Sequence, residues 1–302
     1  MAVNKSGYLL GAAAYIMWGA FPLYFPLMAP ATAPEVLAQR IVWSALVMAL
    51  AATATARLGA LRRLVGDSRA RTLLAGAALV LSVNWVVYIW GVTHSRVIET
   101  SLGYFINPLV TVLFGVFVFS ERLRPVQWAA MALGAGAVGV LTYEYGSLPW
   151  VALILAGTFG TYGLLKKSAN VGAVESLTFE TLLLAPVALG YLIWLGTTGA
   201  STFATHGTQH ALLLASTGVV TAVPLLCFGA AATRIPMVAL GLLQYLGPLI
   251  QFALGVFWFG EHMSLGRWLG FGLVWLAIAV FTAEGIHNHR RQLRDAAEAA
   301  AL

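Results

Sequence analysis

Residues 101–121 read SLGYFINPLVTVLFGVFVFSE, apolar enough to cross a bilayer yet carrying Asn107 and Pro108 at the centre. The pattern returns 140 positions later as GLLQYLGPLIQFALGVFWFGE, residues 241–261. Leu102, Pro108, Leu109, Gly115, Val116, Phe117, Phe119 and Glu121 meet identical residues at Leu242, Pro248, Leu249, Gly255, Val256, Phe257, Phe259 and Glu261. Eight identities in 21 positions, with the proline in register, mark an internal duplication. Glu35 pairs with Glu175, Trp128 with Trp268 and, with one residue of slippage, Gly19 with Gly160. Interrupted apolar segments at corresponding places in two halves are the sequence pointer to a transporter's binding site.

The surroundings of this stretch are equally apolar. The chain is 60% hydrophobic and 9% charged, against roughly 25% charged in a soluble domain. Too little polar surface remains to cover a water-soluble globule, so a polytopic membrane protein is expected. The net charge of +6 does not mark a nucleic-acid binder, because no basic stripe alternates with exposed aromatics. Cys227 is the only cysteine, so no disulfide forms within the chain. The apolar run from Gly7 to Met28 is too long for a cleaved signal core and reads as a retained first helix.

A span needs about 20 apolar residues. Ten segments qualify: 7–29, 35–56, 72–93, 97–119, 125–143, 148–166, 175–196, 210–231, 237–259 and 264–284. With the N-terminus inside, 14 of the 17 basic residues fall at cytoplasmic ends. The positive-inside rule therefore places both termini in the cytoplasm. Five helices per half make the second half enter from the opposite side, which gives inverted repeats at 1–145 and 146–286 and a cytoplasmic tail at 287–302.

Proline within a helix withholds a donor and clashes with the carbonyl four residues back. Pro108 and Pro248 therefore free the carbonyls of Tyr104 and Gln244. Tyr104, Asn107 and Thr111 share a face with Pro108, as do Gln244 and Gln251 with Pro248. These residues are expected to line a cavity, though a kink with Asn and Gln bonding neighbouring helices fits the same spacing. Asn84 and Tyr88 lie one turn apart on the third helix beside Trp85. Trp18 precedes Gly19, with Pro22 and Pro26 following to bend the first helix; Thr158 and Tyr162 sit at similar depth on the sixth. Tyr245 completes the candidate substrate set.

Charges within spans are costly and tend to be functional. Arg40, one turn into the second helix, either snorkels outward or binds an anionic substrate group. Glu99 and Glu180 are candidates for proton coupling, with solvated helix ends as the plainer account. His206 and His210 have metal-ligand spacing but bring no third ligand, so no metal site is expected. Gly266 with Gly270, and Ala135 with Gly139, read as helix-packing pairs.

WGAFPLYF, QRIVWS at 39–44, NWVVYIWGV at 84–92, ETSLGYFINPLV at 99–110 and TAVPLLCFGAAATR at 221–234 resemble the RarD-type branch of the drug/metabolite transporter superfamily. The resemblance runs in order along nearly the whole chain. It implies an all-α membrane fold of ten helices as two inverted EamA repeats around a central cavity, and export of small metabolites, with amino acids moved by YddG-like members. Gln39 stands where many RarD-like chains carry histidine, which puts a proton relay there in doubt. The resulting expectation is a bacterial inner-membrane transporter or facilitator exporting amino acids with broad specificity. A proton-coupled drug antiporter and a non-transporting sensor are the alternatives. HExxH, P-loop and GxSxG patterns do not occur, so neither enzyme chemistry nor a cofactor is expected. Small-molecule substrate and membrane lipid are the expected partners; oligomeric state is left open, a monomer being compatible.

Overall fold

The computed structural model describes residues 5–119, 123–232, 234–235 and 243–299; Glu121, Gly241 and Leu242 of the repeated motif lie outside these. The described residues are overwhelmingly helical. In chain order the helices are α1 (Lys5–Gly19), α2 (Phe21–Tyr24), α3 (Ala33–Ala54), α4 (Leu58–Gly66), α5 (Ser68–Thr93), α6 (Val97–Phe119), α7 (Pro125–Tyr145), α8 (Trp150–Ala169), α9 (Ala173–Thr197), α10 (Gly207–Ala232), α11 (Leu246–Ala253) and α12 (Leu265–Ala299). A 3-10 turn, Phe25–Met28, follows α2, and a π-helical turn, Leu254–Trp258, follows α11.

Seven of these helices are long and apolar enough to cross a membrane, or eight when α1 and the bent segment after it count as one span. The segments expected at 148–166 and 237–259 contain shorter apolar helices, Trp150–Lys166 and Leu246–Trp258. Long apolar side chains such as Leu9, Leu79, Val187 and Phe117 project from the molecule's surface. Water would penalise that surface; hydrocarbon does not.

The first span bends by 42° between Gly19 and Phe21. Pro22 and Pro26 lack the N–H groups that would carry the ladder across, so the bend falls where those residues predict it. The duplicated prolines behave differently. Pro108 lies inside the continuous α6, whereas Gln244 and Tyr245 form a turn and Pro248 falls in the first turn of α11. A first-turn N–H has no intrahelical acceptor, so Pro248 forfeits no bond there. The reading of Pro248 as a mid-helix kink is corrected accordingly; the interruption sits at the residue four places upstream.

Among the described residues, α5 and α6 pack on α8, and α10 and α11 pack on α1. Helices α3 and α9, α6 and α11, and α7 and α12 also pack in pairs. Glycines permit several of these approaches. A Cβ on Gly19 would meet Ile250 at 2.8 Å, and one on Gly160 would meet Val110 at 3.2 Å and Phe114 at 3.1 Å. Gly266 and Gly270 face Glu144 and Leu141 of α7, so this pair is a packing device. Gly139 opens on free space, and α7 instead seats Gly134 against Leu109.

Two carboxylates fasten opposite ends of the α3–α9 pair. Glu35 at the start of α3 accepts the backbone N–H of Thr202 at 2.8 Å, in the loop after α9. Glu175 at the start of α9 accepts from Arg57 at 2.7 Å, in the turn after α3. Segment 57–66 was expected as a connection; it forms the amphipathic α4, with Leu64 buried against Leu74 and Arg62 and Arg63 exposed.

Candidate translocation site

Arg40 is 4% exposed, so it does not snorkel to the surface. Its Nε donates to the Thr221 hydroxyl of α10 at 2.7 Å. Its guanidinium carbon lies 4.0 Å from the centre of the Trp85 ring, 5.4 Å from Phe21 and 5.8 Å from Phe25. Among the described residues it has no ion pair. Burying a cation without a counterion costs several kcal/mol. A desolvated cation–π contact returns about 2 kcal/mol, and the hydroxyl bond adds a further part.

From Arg40 a file of rings runs through the turn after α2 and along α5, α6 and α8. Phe25 and Tyr88 lie 6.0 Å apart, Tyr88 and Tyr104 5.8 Å, Tyr104 and Phe159 5.8 Å, and Phe159 and Tyr162 6.1 Å, centre to centre. The file ends at Glu180, which accepts from the Tyr162 hydroxyl at 3.3 Å and from Lys166 at 2.8 Å. Because α3 and α9 run in opposite directions, Arg40 and Glu180 mark opposite ends. Phe21, Phe25 and Tyr88 near Arg40 are buried, whereas Trp85, Tyr104 and Tyr162 are half-buried and Phe159 is 37% exposed.

Asn84 stitches the helices beside this file. Its amide donates to the Leu155 carbonyl at 3.1 Å and the Thr158 hydroxyl at 2.9 Å, and its carbonyl accepts from the Tyr104 hydroxyl at 3.2 Å. Asn84 is thus a helix bolt and a cavity-side group at once. Trp18 is half-buried against the same cluster; Gln251 donates to its backbone carbonyl at 3.2 Å, while the Gln251 Oε1 is buried without a partner. Asn107 and Pro108 are half-buried on α6, one turn beyond Tyr104.

The structure does not gather all candidates at one place. Tyr245 engages Gln244 and Thr282 and lines a cavity of about 280 Å³ with Phe105, Leu249 and Trp275, on the α12 side. Glu99 lies elsewhere again, paired with Arg96 at 3.0 Å and accepting the Val151 N–H at 3.0 Å. It borders a polar cavity of about 320 Å³ shared with His94, Tyr145, Glu261 and Arg267. Glu261 accepts the N–H groups of Val97 at 2.5 Å and Ile98 at 3.1 Å, capping α6 from across the molecule. Burial pushes its carboxyl above the usual range, against the opposing pull of those N–H groups and Arg267. His210 donates to or accepts from the Thr202 hydroxyl at 2.8 Å, and its ring lies 5.5 Å from that of His206, tilted by 51°, beside the loop fastened by Glu35.

Phe25, Phe159 and Thr221 were not singled out by sequence. Phe159 lies three residues before Tyr162, a same-face spacing that was legible; Thr221 carried no signal beyond lying one turn before Pro224.

The model for EamA-like transporters matches residues 5–143, the first expected half. Protein RarD of Streptomyces exfoliatus is 52% identical over 298 residues, covering 99% of this chain and 94% of that protein. The chain belongs to the RarD-type branch of the drug/metabolite transporter superfamily. A Pseudomonas aeruginosa protein described as an uncharacterized transporter is 42% identical over 95% of this chain and 96% of its own length. A chloramphenicol-sensitive RarD of the same species is 30% identical over 97% and 99%. A solved crystal structure aligns with a TM-score of 0.55 at 22% identity, over 92% of this chain and 97% of that one, and likens the fold alone.

Proposed function

We propose that this multi-pass RarD-type transporter is an inner-membrane facilitator exporting amino acids and related small metabolites, by rocking two inverted five-helix repeats about the file of rings. That file carries the reading: its aromatic faces and neutral hydrogen-bonding groups offer a permissive surface for zwitterions and amphiphiles. Trp18, Asn84, Tyr88, Tyr104, Asn107 and Tyr162 are the proposed contacts, with Gln251 reaching in from the second half.

Helix packing supports the two-repeat part. Exchanging each segment for its duplicate converts α5–α8 into α10–α1 and α6–α8 into α11–α1, and leaves α3–α9, α6–α11 and α7–α12 unchanged. Gly19 against Ile250 becomes Gly160 against Val110 under the same exchange. Orientation rests on the basic residues, which favour cytoplasmic termini.

A second reading, proton-coupled drug antiport, is favoured by one observation: Glu180 is buried within a span beside Lys166. Flux of radiolabelled amino acids through purified protein in liposomes, with and without a pH gradient, separates the two. Saturable flux of several amino acids without a gradient is expected. Flux that requires the gradient turns the mechanism toward Glu180, and absence of amino-acid flux removes the substrate class.

A further inference from the structure

Within the transport reading, on which this step rests, we propose that Arg40 and Tyr88 hold the carboxylate of an organic substrate whose apolar body lies on the ring file. Thr221 occupies the Nε of the guanidinium and Trp85 covers one face, so the group is fixed in orientation. The paired Nη edge is met by no carboxylate among the described residues. That edge is planar and carries two parallel N–H donors, the complement of a carboxylate's two oxygens.

An independent observation points the same way. The Tyr88 hydroxyl is buried and has no hydrogen-bond partner; the residue is only 3% exposed, and its ring lies 6.0 Å from that of Phe25, which itself lies 5.8 Å from the Arg40 guanidinium carbon. Buried hydroxyls are nearly always satisfied, and one beside an unpaired cation is suited to donate to an anion. The rings that continue from Tyr88 to Tyr104 and Phe159 then receive a body of aromatic or aliphatic character. A phosphate dianion is a poorer match, because one guanidinium leaves its second charge uncompensated at a buried place.

The test measures binding of four compounds with one body to full-length protein in nanodiscs by calorimetry: 3-phenylpropionate, phenylalanine, phenylalanine amide and phenethylamine, with phenyl phosphate as a further anion. Wild type is expected to bind the two carboxylates at least tenfold more tightly than the amide and amine. Arg40→Gln removes that preference, Arg40→Lys restores part of it, and Tyr88→Phe weakens carboxylates several-fold without moving the amide. Thermal melts of each variant establish folding; should Arg40→Gln not fold, Tyr88→Phe and Arg40→Lys carry the comparison. Equal binding of acid and amide by wild type overturns the proposal, as does tighter binding of phenyl phosphate, or no carboxylate binding at all. Flux of amines or neutral metabolites in liposomes would then leave the transport reading standing alone.

Discussion

Gly218 shows how little room single residues have in this fold. A Cβ there would stand 2.5 Å from the backbone carbon of Trp43, and backbone cannot swing aside as a side chain does. Gly218→Ala is expected to cost about 1–3 kcal/mol, read as a lowered melting temperature in detergent. Gly157, whose Cβ would meet nothing within 4 Å, is the contrast. Gly157→Ala is expected to be neutral or to stabilise by about 0.5–1 kcal/mol, since a mid-helix glycine is entropically costly. Spacing alone could not tell these two glycines apart, because what distinguishes them is α3 lying against α10. Arg40 teaches the same lesson. Its sequence position allowed snorkelling or anion binding, and what holds it inside instead of at the surface is Thr221, 181 residues away, and the Trp85 ring.

At the scale of elements, the helices were legible because apolar length and proline position act locally. The bend near Gly19 followed from Pro22 and Pro26, and α6 begins and ends where the apolar run does. The unequal fate of Pro108 and Pro248 was less legible: the repeated motif is shared, but Gly247 stands where Asn107 does, and glycine lowers the barrier to breaking the helix. α4 was missed because nine residues with exposed arginines look like a basic connection until Leu64 is seen under Leu74. The junction of α6 with the segment after α11 is held by Glu261, whose raised pKa means the folded protein binds its proton more tightly than the unfolded chain does. The contribution of this group therefore favours folding below the ordinary glutamate range and is lost as pH rises through the raised value. In melts between about pH 4 and 7, wild type should lose stability from this source and Glu261→Gln should show a flatter slope. Identical slopes would mean that Glu261 titrates as an exposed carboxylate does.

For the whole molecule, the duplicated motif carries the expectation of two related halves, and the class of protein followed from sixty per cent hydrophobic composition. The division of candidates between the ring file and the α12-side cavity did not follow, since Tyr104 and Tyr245 stand one residue out of register in the repeated motif and face different surroundings. Orientation is checkable directly. Reporter fusions at either terminus, one fluorescent only in the cytoplasm and one enzymatically active only outside it, should both report the cytoplasm. An external signal from either end would refute the inverted arrangement of five and five.

The carboxylates at the two ends of the α3–α9 pair have a consequence for energetics. Glu35 grips the loop after α9, and Glu175 grips the turn after α3, so carboxylates 140 positions apart close the two ends. On the proposed alternating-access mechanism, ends closed by similar carboxylate contacts give two resting states of nearly equal free energy, separated by the differences between those contacts. A change of about 1.4 kcal/mol at one end shifts that balance tenfold. The direction in which such a carrier rests is therefore among the easiest of its properties for a single substitution to reset.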